Sequence, residues 1–315
     1  MAWEIPGRDG PRPRSTEKKQ MNKTEISWTD YSWNPVTGCT PVSAGCRNCY
    51  ARKMSKRLRG RFGYPADDPF RVTFHPDKLE DPLRMRKPRM IFTCSMGDLF
   101  HEDVPDEWID QVFAVMALCP QHSFQVLTKR PERMARYFGE AASGQRKLAD
   151  AACYGMSLGF FAAAAVAGGV KNWPLPNVWA GVSVEDQATA DERIPHLLNT
   201  PAAVRFVSCE PLLGPVDIDL AMYGPGPRAG MNCFGHTDGF GYEALLHWII
   251  CGTESGPRRR PAKTEWIRNL RDQSITAGVP FFLKQREVDG RVVKMPMLDG
   301  EKWEQFPEVN TRRER

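Results

Sequence analysis

Three cysteines, Cys39, Cys46 and Cys49, lie close together in the segment NPVTGCTPVSAGCRNCYARKM (34–54). A structural zinc ion takes four ligands, usually as two separated pairs, and only Cys46 and Cys49 form a close pair. Zinc would therefore need Cys39 and a distant His or Cys. A [4Fe-4S] cube also has four metal corners, and three thiolates would leave one iron open. The spacing indicates a metal site and leaves zinc and iron-sulfur as alternatives.

A second set of chemically useful side chains follows the apolar runs of the sequence. These polar residues are Ser95, Asp98, Lys129, Arg130, Ser183, Glu185, Glu210, Glu254 and Lys284. One acid after a strand is often a helix cap or part of a loop ion pair. Recurrence at six predicted strand ends favours a functional interpretation, because the carboxyl ends of barrel strands carry the chemistry.

The elements that would position these residues are an alternation of strands and helices. Continuous apolar runs predict strands at 89–95, 123–128, 177–183, 203–210, 247–254 and 279–285, and a weaker first strand at 25–29. Amphipathic stretches predict helices within 104–120, 130–138, 186–200 and 263–278. This order predicts an α/β fold with a parallel sheet, as a full or partial (β/α) barrel, with an open doubly wound sheet as the alternative.

The 315 residues are enough for one large domain. Residues 1–22 are rich in Pro and Arg and predict a disordered basic tail, followed by the barrel at 23–290 and a C-terminal extension at 291–315. Stretches at about 139–173 and 221–243 interrupt the pattern and predict insertions, either surface excursions or a lid. No apolar run is long enough to span a membrane and no signal peptide is visible, so we expect a cytoplasmic protein without a membrane partner.

The thiol loop resembles that of radical S-adenosylmethionine (SAM) enzymes, in which three cysteines after the first barrel strand hold a [4Fe-4S] cluster and SAM chelates the open iron. The resemblance lies in the position of the loop after the first strand and in the number of its cysteines. The common spacing in that superfamily is CxxxCxxC, whereas this chain has CxxxxxxCxxC.

A wider set of motifs carries a more specific resemblance. The segments ISWTDYSWNPVTGC, FTCSMGDLFHEDVP, FQVLTKRPERM, VWAGVSVEDQ, RFVSCEPLLGPV, CGTESGPRRRP and GVPFFLKQ resemble a phage-associated family of unknown function. That family occurs in mycobacteriophages, prophages and bacterial chromosomes, and is similar to radical SAM proteins and distantly to spore photoproduct lyase. The resemblance covers about 23–285, and one departure is Thr253, where a second glycine would be expected.

The resemblance implies a set of cofactor-binding residues at the strand ends and next to the cysteines: Ser95, Asp98, Lys129, Arg130, Ser183, Glu185 and Tyr50. Asp98, in SMGD, would accept a hydrogen bond from the SAM ammonium. Ser183 and Glu185 would bind the ribose, and Lys129 or Arg130 the SAM carboxylate. Tyr50 would pack over the cluster or SAM.

The remaining candidates face the substrate. Glu210 and Glu254 are the catalytic candidates, and Lys284 with the run Arg258, Arg259 and Arg260 would bind substrate. Arginines between a strand end and a helix can clamp a phosphate. With the basic run ARKMSKRLRGRFG after the cysteines, they put DNA, RNA or a nucleotide slightly ahead of a small metabolite as substrate.

Two hypotheses follow. The first is an iron-sulfur, radical SAM-type enzyme, a lyase or a nucleic-acid modifying enzyme, which would need an electron donor for its cluster. The second is a zinc-stabilised, non-catalytic protein that binds nucleic acid or mediates a phage-host interaction. The acids on successive strand ends favour the first. No HExxH, GxSxG or GxxxxGK[ST] segment is present, so the commonest hydrolase and nucleotide triphosphatase classes are excluded.

Overall fold

The computed structural model describes residues 21, 23–146, 148, 150, 173–218 and 245–308. Its main sheet has eight strands, which in spatial order are β1 (Tyr31–Trp33), β4 (Met90–Thr93), β5 (Ser123–Thr128), β6 (Val178–Ser183), β7 (Val204–Cys209), β8 (Trp248–Gly252), β9 (Phe281–Val288) and β10 (Arg291–Lys294). Two short antiparallel pairs accompany it: β2 (Val36–Thr37) with β3 (Thr73–Phe74), and β11 (Met297–Leu298) with β12 (Glu301–Lys302).

The sheet is parallel from β1 to β9, and β10 returns antiparallel to β9. It is strongly curled. Trp28 contacts both Phe92 of β4 and Trp248 of β8, with ring centroids 4.7 and 6.2 Å away, although a flat sheet would put those strands about 19 Å apart. Because β1 and β10 do not pair in the described part of the chain, the fold is a partial barrel. The expectation of an α/β barrel is confirmed in its partial form.

Helices cover one face of the sheet. They are α1 (Tyr50–Leu58), α2 (Pro76–Leu79), α3 (Asp106–Leu118), α4 (Pro131–Ala142), α5 (Gln187–Leu198) and α6 (Thr264–Thr276). The four predicted helices correspond to α3 to α6. A capping box of Asp186 and Thr189 starts α5, and Gly278, at φ +67°, follows α6. None of the helices in the described ranges combines the length and apolar character needed to cross a membrane.

The outer and inner faces of the sheet have separate cores. Alternate strand residues such as Ile91, Val126 and Val207 join the helices in the larger core. The inner core is aromatic and includes Trp28 and Phe206. It fills the lower and middle levels of the barrel, so tightly that a Cβ on Gly181 would lie 2.4 Å from the Phe206 ring. The upper level, at the carboxyl ends of the strands, is lined by polar residues instead.

The predicted first strand at 25–29 is wrong. The chain turns at Ser27 and Trp28, where the Thr29 amide donates to the Ile26 carbonyl at 3.3 Å. The first strand of the sheet is Tyr31–Trp33. The physical reason is the burial of the Trp28 ring inside the barrel, which requires the chain to bend inward before it joins the sheet.

Several predicted segments lie wholly or partly outside the described residues. The tail at 1–22 is described only at residue 21, the insertion at 139–173 is described only in part, and the one at 221–243 is not described. The inner core continues past residue 290, because Met295 and Phe306 pack against it.

Candidate active site

The three cysteines lie on a loop at the carboxyl edge of the sheet. Cys39 lies two residues after β2, Cys46 ends a short 3-10 helix, and Cys49 is the N-cap of α1. All three thiols are partly exposed. The loop begins at Gly38, where φ is +90° and an added Cβ would lie 2.2 Å from the Arg71 carbonyl, so only glycine fits there.

The donor set matches a cluster with three protein ligands in kind and number. In the ranges that the structure covers, however, no three His, Cys, Asp or Glu side chains are placed so as to hold a metal ion. The loop positions that would hold such a cluster are Cys39, Cys46 and Cys49.

Glu185 connects the thiol loop to the end of β6. Its side chain is fully buried and accepts hydrogen bonds from Ser43 Oγ at 2.8 Å, from Lys129 Nζ and from Arg193 Nη1 at 3.4 Å. The loop passes so close that a Cβ on Gly45 would lie 2.4 Å from Glu185 Oε1. A buried carboxylate between two cations is strongly held in place, because losing either partner leaves an uncompensated charge.

Asp98 connects the turn after β4 to the start of α4. Its carboxylate accepts from Thr128 Oγ1 at 2.7 Å, the amides of Phe100 and Lys129 at 3.0 and 3.1 Å, and Arg130 Nη1 at 3.3 Å. Phe100 lies two residues from Asp98 in sequence, so that bond is local. The other three bring β4 and β5 together and orient Arg130.

Arg130 reaches from this carboxylate to the first cysteine. Its Nη1 donates to Cys39 Sγ at 3.4 Å, its Nη2 to Thr40 Oγ1 at 3.0 Å, and its Nε to Glu102 at 2.7 Å. Thr40 also pairs with the fully buried His101, 2.8 Å from Nε2. Cys39 thus has a cation beside its sulfur, held by two carboxylates.

The surroundings of Cys39 and Cys46 shift the pKa values of the two thiols in opposite directions. Burial, followed by the charge of Asp98, raises the pKa of Cys39 to about 12, although Arg130 opposes this. Burial would also raise the pKa of Cys46, but the charge of Lys129 and hydrogen bonds from Val42 and Ser43 outweigh it and lower the pKa. Lys129 thus favours the thiolate of Cys46, the form that binds metals.

Two further carboxylates complete this edge. Glu210 forms a bidentate pair with Lys284 Nζ, at 2.6 and 2.8 Å, and the backbone approaches it at Gly252, where a Cβ would lie 3.2 Å from its carboxyl carbon. Glu254 accepts from Asn48 Nδ2 at 2.9 Å and from Arg260 Nη2 at 2.6 Å. Asn48 lies between the last two cysteines, so Glu254 ties β8 to the thiol loop.

The structure therefore brings most of the predicted site residues to one edge. Ser183 donates to the Glu210 carbonyl at 3.0 Å, and the Tyr50 hydroxyl donates to the Ser95 carbonyl. The arginine run divides: Arg260 pairs with Glu254, and Arg259 Nε pairs with Glu287 at 2.7 Å. The exposed Arg258 has no ion pair with another described residue.

Sequence reasoning missed the residues that link the thiol loop to the sheet: Ser43, Asn48 and Arg193. Ser43 and Asn48 lie between the cysteines, so their position was the available signal. Arg193 lies on α5 and is buried to 1% exposure. An arginine in the second turn of an amphipathic helix normally faces water, and nothing in its sequence context marks it as buried.

Comparisons with known proteins add a fold likeness and a family. Three solved structures of spore photoproduct lyase are similar to this chain. One, complexed with dinucleoside spore photoproduct, has 12% identity, a TM-score of 0.41 and coverage of 88% of this chain and 70% of that one. A mutant of that lyase has 13% identity, a TM-score of 0.38 and coverage of 87% and 69%.

No match is found among curated proteins. A family model described as Protein of unknown function (DUF5131) matches residues 23–307. Because this match takes in most of the chain, the protein belongs to the DUF5131 family.

Proposed function

We propose that this protein is an iron-sulfur enzyme of the radical SAM type, with Cys39, Cys46 and Cys49 as the ligands of a [4Fe-4S] cluster. When bound, that cluster would supply the electron that cleaves SAM to a 5'-deoxyadenosyl radical, which abstracts hydrogen from a substrate. An external electron donor would reduce the cluster. The same proposal includes that the protein is phage-associated and located in the cytoplasm.

The observation that carries the proposal is the attachment of the thiol loop to three strand ends. Arg130 contacts Cys39, Glu185 accepts from Ser43, and Glu254 accepts from Asn48. A loop held at this edge puts three thiols where parallel barrels carry their chemistry. A binding module stabilised by zinc has no need of carboxylates at successive strand ends.

In this proposal the chain's residues bind SAM and orient it. Asp98, in the segment that starts at Ser95, accepts from the SAM ammonium. Ser183 and Glu185 bind the ribose. Asp98 and Glu185 already accept bonds from protein groups, so SAM would replace part of these bonds. Lys129 or Arg130 would then pair with the SAM carboxylate, and Tyr50 would pack beside the cluster.

The other half of the edge would receive the substrate. Glu210 and Glu254 are proposed as its catalytic carboxylates, each held by a cation of its own, Lys284 and Arg260. These two cations hold the carboxylates in position. The proposed substrate is DNA, RNA or a nucleotide.

Metal analysis tests the cluster. Anaerobic reconstitution should give about four irons and four sulfides per chain. Replacing Cys39, Cys46 or Cys49 by Ala should abolish the broad visible absorbance, whereas Cys209→Ala and Cys251→Ala, deep in the outer core, should retain it. Stoichiometric zinc without iron uptake would instead support the zinc-stabilised binding protein.

SAM binding tests the rest of the site. Asp98→Asn should weaken SAM binding to the reconstituted protein by about 1.5–3 kcal/mol, the contribution of a hydrogen bond to a charged group. The nearby exposed Asp103 provides the control, and Asp103→Asn should leave the affinity unchanged. Calorimetry that detects no SAM binding to the iron-loaded parent would overturn the enzyme proposal.

A further inference from the structure

The segment that contains the thiols and the helix after them carries charge of one sign. From Cys39 to Ala66 the sequence has no Asp or Glu but seven cations: Arg47, Arg52, Lys53, Lys56, Arg57, Arg59 and Arg61. The whole chain has a net charge of only +5, so the remainder is net negative. The positive charge is therefore a local property of this segment.

Helix α1 presents these cations on one side. Ala51 and Ser55 form its buried face, and Arg52, Lys53, Lys56 and Arg57 are all exposed. Residues four apart lie on the same side of a helix, about 6 Å apart along its axis. The pairs 52/56 and 53/57 thus form two parallel rows of positive charge.

These cations differ from many other described arginines in having no ion pair with a described carboxylate. Arginines that do form ion pairs include Arg130, Arg133, Arg146, Arg193, Arg259, Arg260, Arg268 and Arg271. For the seven cations of the segment, no carboxylate of the described residues lies within 4.0 Å. A merely solvated surface helix usually carries both signs of charge, whereas α1 carries only cations.

The basic surface is continuous with the proposed substrate side. Lys53 Nζ lies 3.8 Å from the position of a Cβ on Gly256, and Asn48 Nδ2 donates to the Arg258 carbonyl at 3.0 Å. Helix α1 therefore adjoins the loop that carries the exposed Arg258. Arg259 and Arg260, by contrast, are already paired with Glu287 and Glu254.

An exposed aromatic ring lies among these cations. Phe62 is 61% exposed and has φ +53°, a left-handed conformation that is rare for a bulky side chain. A strained backbone at an exposed ring is a feature that clusters at functional sites. Proteins that bind single-stranded nucleic acid combine cations along the backbone with aromatic rings on which bases stack.

We propose that α1, Arg258 and Phe62 form a docking surface for single-stranded nucleic acid, with phosphates on the cations and a base on Phe62. This deepens the proposed function, on which it rests, by naming the substrate class and by moving its main contacts from the arginine run to α1. The strand would pass from α1 over the loop at Gly256 toward Glu254.

Equilibrium binding tests the surface without cluster or SAM, so its result is independent of the metal and SAM tests of the enzyme. The full chain is titrated into a labelled single-stranded DNA or RNA of about 16 nucleotides, at about 50 to 200 mM salt. The variant Arg52→Gln, Lys56→Gln, Arg57→Gln is compared with a control of equal charge change, Lys23→Gln, Arg86→Gln, Lys87→Gln, whose exposed cations precede β1 and β4.

The parent should bind with a strong salt dependence. The α1 variant should bind more weakly and flatten the log-log salt slope by about two units, since each lost phosphate contact on a single strand contributes roughly 0.7. The control should behave like the parent. Phe62→Leu should weaken binding without changing the slope, because stacking releases no counterions.

Three outcomes would overturn the inference. The first is that the parent binds no oligonucleotide at the lowest salt. The second is that the α1 variant binds oligonucleotides as the control variant does. The third is that the parent binds anionic phosphatidylglycerol vesicles but not oligonucleotides. The last would assign the surface to a lipid headgroup layer. Because every substituted side chain is exposed, the thermal unfolding midpoint should match the parent and thereby show that the variants are folded.

Discussion

The buried carboxylate of Glu185 allows a sharp test of how the sheet holds the thiol loop. In Glu185→Gln the negative charge disappears while the side-chain shape is kept. Arg193, whose side chain is 2% exposed, then loses its buried counter-charge. Breaking a buried ion pair in this way costs about 3–5 kcal/mol.

Two features of the structure place the expected loss at the lower end of that range. Arg193 Nη1 keeps a hydrogen bond to the Ser183 carbonyl at 2.7 Å. Lys129, whose side chain is 20% exposed, can turn toward water. We therefore expect the free energy of unfolding of Glu185→Gln to fall by about 3 kcal/mol.

Urea denaturation measures this loss, and Glu192→Gln is the matched control. Glu192 also lies near Arg193, 3.9 Å from Nε, but its side chain is 64% exposed. An exposed pair contributes about 0–1 kcal/mol, so the control should change stability by less than 1 kcal/mol. Equal effects of the two substitutions would refute the assignment of Glu185 as a buried anchor.

A double-mutant cycle with Ser43→Ala then isolates the link to the loop. The Ser43 hydroxyl donates to Glu185 at 2.8 Å, and a hydrogen bond to a charged acceptor contributes about 1.5–3 kcal/mol. The two substitutions should therefore be non-additive by roughly that amount. Strict additivity would mean that the loop and the strand end are independent.

Two further predictions concern the same edge. Gly45→Ala should destabilise the protein by about 1–3 kcal/mol in urea unfolding, because the added Cβ would meet the Glu185 carboxyl group. The control is Gly139→Ala in α4, where nothing lies within 4 Å of the added Cβ. It should stabilise the protein by about 0.5–1 kcal/mol. Burial would raise the pKa of Glu254, but hydrogen bonds, chiefly from Arg260, outweigh it and lower the pKa to about 2. Its contribution to stability should thus be present above the usual value of 4.5 and lost as the pH falls toward 2. The free energy of unfolding, measured at decreasing pH, should therefore fall less for Glu254→Gln than for the parent.

Strands β4 to β9 of the partial barrel could be predicted because burial on both faces leaves a continuous apolar run. The run at 123–128 matches β5 to the residue. Helix α1 gave no comparable signal, since only Ala51 and Ser55 are buried. Its larger apolar residues Tyr50, Met54 and Leu58 recur at helical spacing, but Tyr50 and Met54 are exposed, so the segment contains no continuous apolar run.

The grouping of the candidate residues at one edge of the sheet was predictable, but their connections were not. Strand-end carboxylates are visible in a sequence as polar residues after apolar runs. Their partners are not, because Asn48 and Glu254 are 206 positions apart and no local pattern encodes such a contact. The same limit applies to the arginine run, where only the fold reveals that Arg259 and Arg260 are already paired.

Three strand-end carboxylates hold the thiol loop in place. Asp98, Glu185 and Glu254 follow β4, β6 and β8, and each holds a different part of the thiol loop, through Arg130 or by a direct hydrogen bond. Aromatic side chains pack between these strands inside the barrel, so the three bonds attach the loop to a packed framework. In the proposed enzyme the cluster would bind between these attachment points, and the same bonds would keep the basic helix α1 beside the proposed substrate edge.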